Sequence, residues 1–288
     1  MDLRSFFNPL LILRFLQIFF SCTAFSLVAS VQMYQTQYGA WSMVTWIMCF
    51  VVTIFIVVLE LTGFASRVPI SWEDFTSAFS MLASLMLLTT SIMYPSVFLK
   101  GSCTGHVCAC MGSATAMSIL CFFAYAIEVG ITRAKPGEIS GFLSTIPGLL
   151  KVFEAYVACI IFSLLLPVSS SPGLQWCVAV YSICFIITTL IIILTIGRLL
   201  PRLPFSLEKI LIGYNILAVA MYVTVAVIWP YYFFRAVPDR SVCRDGYVCP
   251  WDNGVGITIL TYINLVAYIV DTVYSFRMVF FTSTTSTG

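Results

Sequence analysis

The chain has 288 residues, of which 60% are hydrophobic and 9% charged. That is too few charges to clothe a water-soluble domain of this size, in which about a quarter of residues are ordinarily charged. A net charge of +2 with no run of Lys or Arg excludes the electrostatic footprint of a nucleic-acid binder. The solvent that suits this composition is a lipid bilayer.

In chain order, the first apolar stretch, Pro9 to Val31, is too long for a signal-peptide core and has no small-x-small cleavage site after it, so it reads as a retained anchor. A helix needs about 20 apolar residues to cross a hydrocarbon layer of roughly 30 Å. Eight segments meet that length: residues 10–31, 40–59, 76–98, 109–131, 149–168, 174–197, 210–232 and 254–276. Lipid offers no partner to exposed backbone polar groups, so these segments are predicted to be helices, giving an all-α polytopic membrane protein. With eight spans both termini lie on one side. That side carries Arg4, Arg14, Arg67, Arg133, Lys135, Lys151, Arg198, Arg202, Lys209 and Arg277, against Lys100, Arg235, Arg240 and Arg244 on the other. The Lys/Arg bias predicts cytosolic termini.

The chain matches itself at a nearly constant offset. Arg14, Gln17, Cys22, Phe25 and Ser26 fall on Lys151, Glu154, Cys159, Phe162 and Ser163, 137 positions on. Cys49-Phe50, Glu73 and Tyr94-Pro95 fall on Cys184-Phe185, Glu208 and Trp229-Pro230 at an offset of 135, and Ala124-Tyr125 and Glu128 fall on Ala267-Tyr268 and Asp271 at 143. Two four-span repeats in parallel topology follow: residues 1–132 and 146–281, a cytosolic linker at 133–145 and a short cytosolic tail at 282–288. Inverted repeats, common among broken-helix transporters, are not the pattern here.

Four of the charges within the spans occupy positions repeated between the two halves. Arg14 and Lys151 sit just inside the cytosolic starts of spans one and five, and Glu128 and Asp271 near the cytosolic ends of spans four and eight. Pairing within each repeat, or snorkelling of the basic stems to the headgroups, is the expected role. A proton or ion path is the alternative, weakened by the distance of these carboxylates from the mid-membrane. Pro95 and Pro230 are expected to shape the outer ends of spans three and seven. Tyr94, Trp229, Tyr231, Tyr232 and Trp251 are expected in an interfacial belt. Small-residue spacings at Gly112/Ala116 and Ser26/Ser30 suggest close helix packing within the chain, with a contact between copies as the other reading.

The outer loops GSCTGHVCACMG (101–112) and SVCRDGYVCPWDN (241–253) each hold a cysteine pair, Cys103 with Cys108 and Cys243 with Cys249. Facing an oxidising compartment, each pair can close a small disulfide loop. The alternative is a metal site from Cys103, His106, Cys108 and Cys110, but tetrahedral wrapping within eight residues is difficult and the second loop has no histidine. The remaining cysteines read as packing residues. With a single histidine, no Gly-rich nucleotide loop, no HExxH and only short cytosolic loops, no catalytic site or cofactor is expected.

Several long stretches then carry a resemblance: PGEISGFLSTIPGLLKVFEAYVACIIFSLL, AYAIEVGITRAK, FSLVASV, YGAWSMVTW, QWCVAVYSICFI and YVCPWD. From about residue 9 to residue 280 the chain resembles the myeloid-associated differentiation marker family, eight-span proteins with two MARVEL domains. The resemblance implies a noncatalytic membrane-organising protein. It would act in ordered, sterol-rich membrane domains at the plasma membrane and on trafficking vesicles, with membrane lipids, sterol, other membrane proteins and small-GTPase signalling machinery as partners, and with self-association. A transporter or ion channel using the boundary carboxylates is the competing reading.

Overall fold

The computed structural model describes residues 9–99, 104–133, 142–165, 171–199, 207–243 and 249–285. Among them eight helices are long and apolar enough to cross a membrane: α1 Pro9–Ser30, α2 Gln37–Leu61, α3 Trp72–Phe98, α4 His106–Arg133, α5 Ile146–Leu164, α6 Pro172–Ile196, α7 Leu207–Ala236 and α8 Pro250–Thr285. Local chemistry sets their ends. The Thr36 hydroxyl accepts from the Gly39 amide at 3.1 Å to open α2, and Thr145 accepts from Gly148 at 3.3 Å to open α5, each satisfying a helix-start donor. Pro147 and Pro172 lie in the first turns of α5 and α6, where a missing N–H costs nothing. After α2 the chain turns through Gly63 at φ +71°, a left-handed conformation that glycine adopts without strain.

The chain divides into two units, residues 1–144 and 145–288. In each, consecutive helices are neighbours and the fourth closes back on the first, so α1–α4 and α5–α8 each form an up-down four-helix bundle. Phe142–Ser144, within the segment expected as a linker, form a 3-10 turn in the first unit. There the Leu143 amide donates to the buried Asp74 carboxylate at 2.8 Å, which gives a buried backbone donor its partner.

The two bundles repeat contacts as well as residues. Trp46 on α2 packs edge-on against Tyr94 on α3 at 5.4 Å and donates through its indole N–H to Ser118 on α4 at 3.1 Å. At the matching positions Tyr181 packs against Trp229 at 6.3 Å and bonds Thr261 at 2.6 Å. Phe25–Phe50 and Phe162–Phe185 are matching edge-on pairs at 5.4 and 5.6 Å. Tyr125 and Tyr268 bond the matching threonines Thr53 and Thr188. Cys121 reaches the Gln17 carbonyl as Asn264 reaches that of Glu154. Within a bundle the hydrophobic drive is weak, because lipid is as apolar as the core, so close packing and interhelical hydrogen bonds carry the association.

Burial corrects two expectations. Tyr94 and Trp229 are buried in the bundle cores rather than placed in a belt, whereas Tyr231 and Tyr232 are exposed. Pro95 and Pro230 lie inside helices that continue past them to Phe98 and Ala236. Ser26, Ser30 and Ala116 face outward, and nothing lies within 4 Å of where a Gly112 Cβ would stand, so these small residues do not mediate the close packing expected of them. Close approach is instead made at Gly254, where a Cβ would stand 1.8 Å from the Phe233 ring.

Because each tyrosine hydroxyl joins two helices, Tyr125→Phe and Tyr268→Phe should each lower stability by about 1 kcal/mol, read from thermal unfolding in detergent micelles. Unchanged stability in both variants would contradict the repeated hydrogen bonding.

Candidate functional site

The buried charged side chains gather at one end of each bundle, the end at which its first helix begins and its fourth finishes. In the first unit Arg14 on α1 lies between two carboxylates. Its Nη1 pairs with Glu60 at the end of α2, and its Nη2 and Nε reach Glu128 Oε1 on α4 at 3.1 and 3.2 Å. Gln17, one turn on from Arg14, donates to Glu128 Oε2 at 2.6 Å, and the Trp72 indole N–H donates to Glu60 Oε1 at 3.0 Å. A guanidinium suits this position because its planar fork presents several donors to two acceptors at once. Arg14 and Glu128 are buried, while the Glu60 side chain is 32% exposed.

The second unit solves the same problem with a lysine. Lys151 Nζ reaches Glu154 Oε2 at 2.8 Å, Asp271 Oδ2 at 2.7 Å and Asn215 Oδ1 at 2.6 Å. Those three contacts use all three ammonium donors. Asn215 on α7 donates to Asp271 Oδ2 at 2.9 Å, and the Ser275 hydroxyl donates to Asp271 Oδ1 at 3.3 Å. The Tyr214 and Tyr268 rings stand 5.0 and 5.1 Å from the ammonium, within cation–π range. Glu154 and Asp271 are 0% exposed and Lys151 1%. Taking these charges from water is tolerable only because each is paired and hydrogen-bonded.

The structure therefore brings Arg14 to Glu128 and Lys151 to Asp271, and adds groups that the sequence reading did not assign to them. Glu60, at the end of α2, reaches Arg14. Asn215 and Ser275 were missed, although an asparagine inside an apolar span is itself a signal. Glu154 joins the same ammonium three residues along α5, as the i, i+3 spacing allows.

At the opposite end, Cys243 and Cys249 form a disulfide with their Cα atoms 4.9 Å apart. Cys108 is disulfide-bonded, and Cys103 lies outside the described residues. A disulfide sulfur is no thiolate donor, which removes Cys108 from the metal reading. Cys110 is buried on α4 with its sulfur 3.7 Å from His106 Nε2. Nearby, exposed Arg240 pairs with Asp252 at 3.0 Å, and hydrogen bonds from the Ser241 hydroxyl and amide hold the Asp239 carboxyl below its usual range.

Removing one member of a buried ion cluster leaves the others uncompensated. Lys151→Met should therefore cost about 3–5 kcal/mol, and the triple variant Lys151→Met, Glu154→Gln, Asp271→Asn should recover much of that loss. The two unfolding midpoints, compared in the same detergent, check this; a triple variant no more stable than the single one would contradict it.

The membrane-associating (MARVEL) domain matches the chain twice, over residues 5–131 and 142–274. The rat myeloid-associated differentiation marker is 44% identical, over 96% of this chain and 92% of its own length. The human protein is 43% identical over 96% and 90%. The Xenopus laevis myeloid-associated differentiation marker-like protein 2 is 42% identical over 92% and 91%. No solved structure matches the chain. Two matched domains, near-full-length relatives and two four-helix bundles with repeated internal contacts lead to one assignment: the chain belongs to the myeloid-associated differentiation marker family, with two MARVEL domains in a multi-pass membrane protein.

Proposed function

We propose that this noncatalytic, membrane-organising protein acts in ordered, sterol-rich membrane, at the plasma membrane and on trafficking vesicles, and recruits membrane-associated signalling partners on its cytosolic side. The observation that carries the reading is the division of surface within the helices other than α5. Charged and hydrogen-bonding side chains of the bundles turn on one another, while large apolar side chains such as Phe19, Phe55, Ile92, Phe123, Ile186, Val227 and Val266 face outward. An outward face of this kind is solvated by acyl chains and sterol, and it acts by selecting its lipid neighbours.

Helix length supports a thick bilayer. The 25 residues of α2 and the 28 of α4 span about 37 and 42 Å at 1.5 Å per residue, longer than an average hydrocarbon layer. Such helices are matched by a thicker, sterol-rich membrane or by tilt. The 19-residue α5 is the exception.

The Lys/Arg bias supports placing both termini and the charge-cluster ends in the cytosol, with the Cys243–Cys249 loop outside. The outward small residues Ser26, Ser30 and Ala116 suit close approach by a second membrane helix, which supports self-association.

Two measurements test the proposal. Full-length protein in sphingomyelin–cholesterol liposomes should raise lipid order, reported by a polarity-sensitive membrane dye, while passing no ion or small solute. Flux that disappears in folded Glu128→Gln and Asp271→Asn variants would instead establish a transporter. On intact cells, a membrane-impermeant maleimide should label Cys243 and Cys249 only after reduction; labelling that requires permeabilised cells would invert the topology.

A further inference from the structure

The second unit's cluster leaves two buried acceptors without a hydrogen-bond donor. Lys151 has spent its three donors, and Asn215 has spent both of its amide hydrogens, on Asp271 and Ser275. Asn264, two turns from Asp271 on α8, donates to the Tyr222 hydroxyl at 2.8 Å and to the Glu154 carbonyl at 3.5 Å. After this, Glu154 Oε1 and Asn264 Oδ1 accept no hydrogen bond, although both residues are 0% exposed. An unpaired buried acceptor costs about 1–3 kcal/mol, and more when it carries charge.

Charge gives the same result independently. One ammonium faces two carboxylates, and every member is at most 1% exposed. The groups facing Glu154 do not change that balance: Lys151 on its own helix, Cys184 on α6, Tyr214 and Tyr222 on α7, and Tyr268 and Asp271 on α8. Lys151 is the one base among them.

The first unit shows what this excess is not. At the position of Glu154 it has neutral Gln17, and at the position of Asn264 it has Cys121. The Gln17 amide oxygen is also unpaired, but it carries no charge, and the unit's second carboxylate, Glu60, is 32% exposed and open to counterions from solution. Glu154 and Asn264 are thus the second unit's own, and together they supply what a hard cation seeks, a carboxylate and an amide oxygen away from water.

The geometry points to a binding site for one small monovalent cation, a proton or an alkali ion, at Glu154 Oε1, between α5 and α8, where the Asn264 amide also meets Glu154 at its backbone carbonyl. A proton on Oε1 turns an acceptor into a donor; a sodium ion takes Oε1 as a ligand. Either removes the excess negative charge, so the bound cation becomes a structural member of the bundle.

Full-length protein in lipid nanodiscs distinguishes the two sources. Thermal unfolding is followed with Na+ and with N-methyl-D-glucamine at equal ionic strength, and infrared difference spectra are searched for the C=O band of a protonated carboxyl group. Both are run on the parent, Glu154→Gln and Asn264→Cys. These variants copy the first unit's residues, and each serves if the other fails to fold. A Na+-dependent rise in the unfolding midpoint that is lost in Glu154→Gln and reduced in Asn264→Cys identifies an alkali ion. A carboxylic-acid band that vanishes in Glu154→Gln and shifts in Asn264→Cys identifies a proton. A parent with neither Na+ dependence nor such a band, or a band that survives Glu154→Gln, overturns the proposal.

Discussion

A positive charge buried on the first helix of each bundle is the constraint on which the remaining structure depends. Arg14 and Lys151 are buried within their bundles, so each must find its counter-charges there. The nearest helices supply them. Glu128 comes from the fourth helix and Glu60 from the second in one unit; Asp271 comes from the fourth helix and Asn215 from the third in the other. Apolar side chains slide past one another at little cost in lipid, but an ammonium with three acceptors has one satisfactory register. The ion clusters therefore specify the bundle more than they stabilise it, since desolvation offsets much of their attraction.

Away from that end, hydroxyls and aromatic rings continue the same function with smaller charges. Trp46 with Ser118, and Tyr181 with Thr261, tie the second helix to the fourth. The residue types differ between the repeats while the roles of donor and acceptor persist. Duplication thus preserved hydrogen bonds both where the side chains match, as at Tyr125 and Tyr268, and where they differ, as at Trp46 and Tyr181. The units differ most at Gln17 against Glu154 and at Phe79 against Tyr214, where the second unit carries more polar groups in its core.

The eight spans were legible because bilayer thickness imposes a length that any long apolar run reveals. Their ends were less so. α2 begins at Gln37 rather than residue 40, and α5 at Ile146 rather than residue 149, because Thr36 and Thr145 cap those helices outside the apolar run. The charge pairs were legible through the repeat, which aligns Arg14 with Lys151 and Glu128 with Asp271. The rest of the cluster was not: hydropathy says how deep a residue lies but not which side of its helix it occupies. For that reason Tyr94 and Trp229 read as boundary aromatics although they face the core, and Ser26, Ser30 and Ala116 read as packing residues although they face out. Asn215 and Asn264 carry no charge and have no matching polar amide in the first repeat, so neither stood out.

The buried cation of each bundle is paired with the carboxylate of its own fourth helix. Double-mutant cycles on Arg14 with Glu128, and on Lys151 with Asp271, using Met for the bases and Gln or Asn for the acids, measure that coupling directly from unfolding free energies in one membrane mimetic. The structure predicts coupling of at least about 1 kcal/mol within both pairs. Additive losses in both cycles would mean that the charges are accommodated separately and that something else holds the bundles in register.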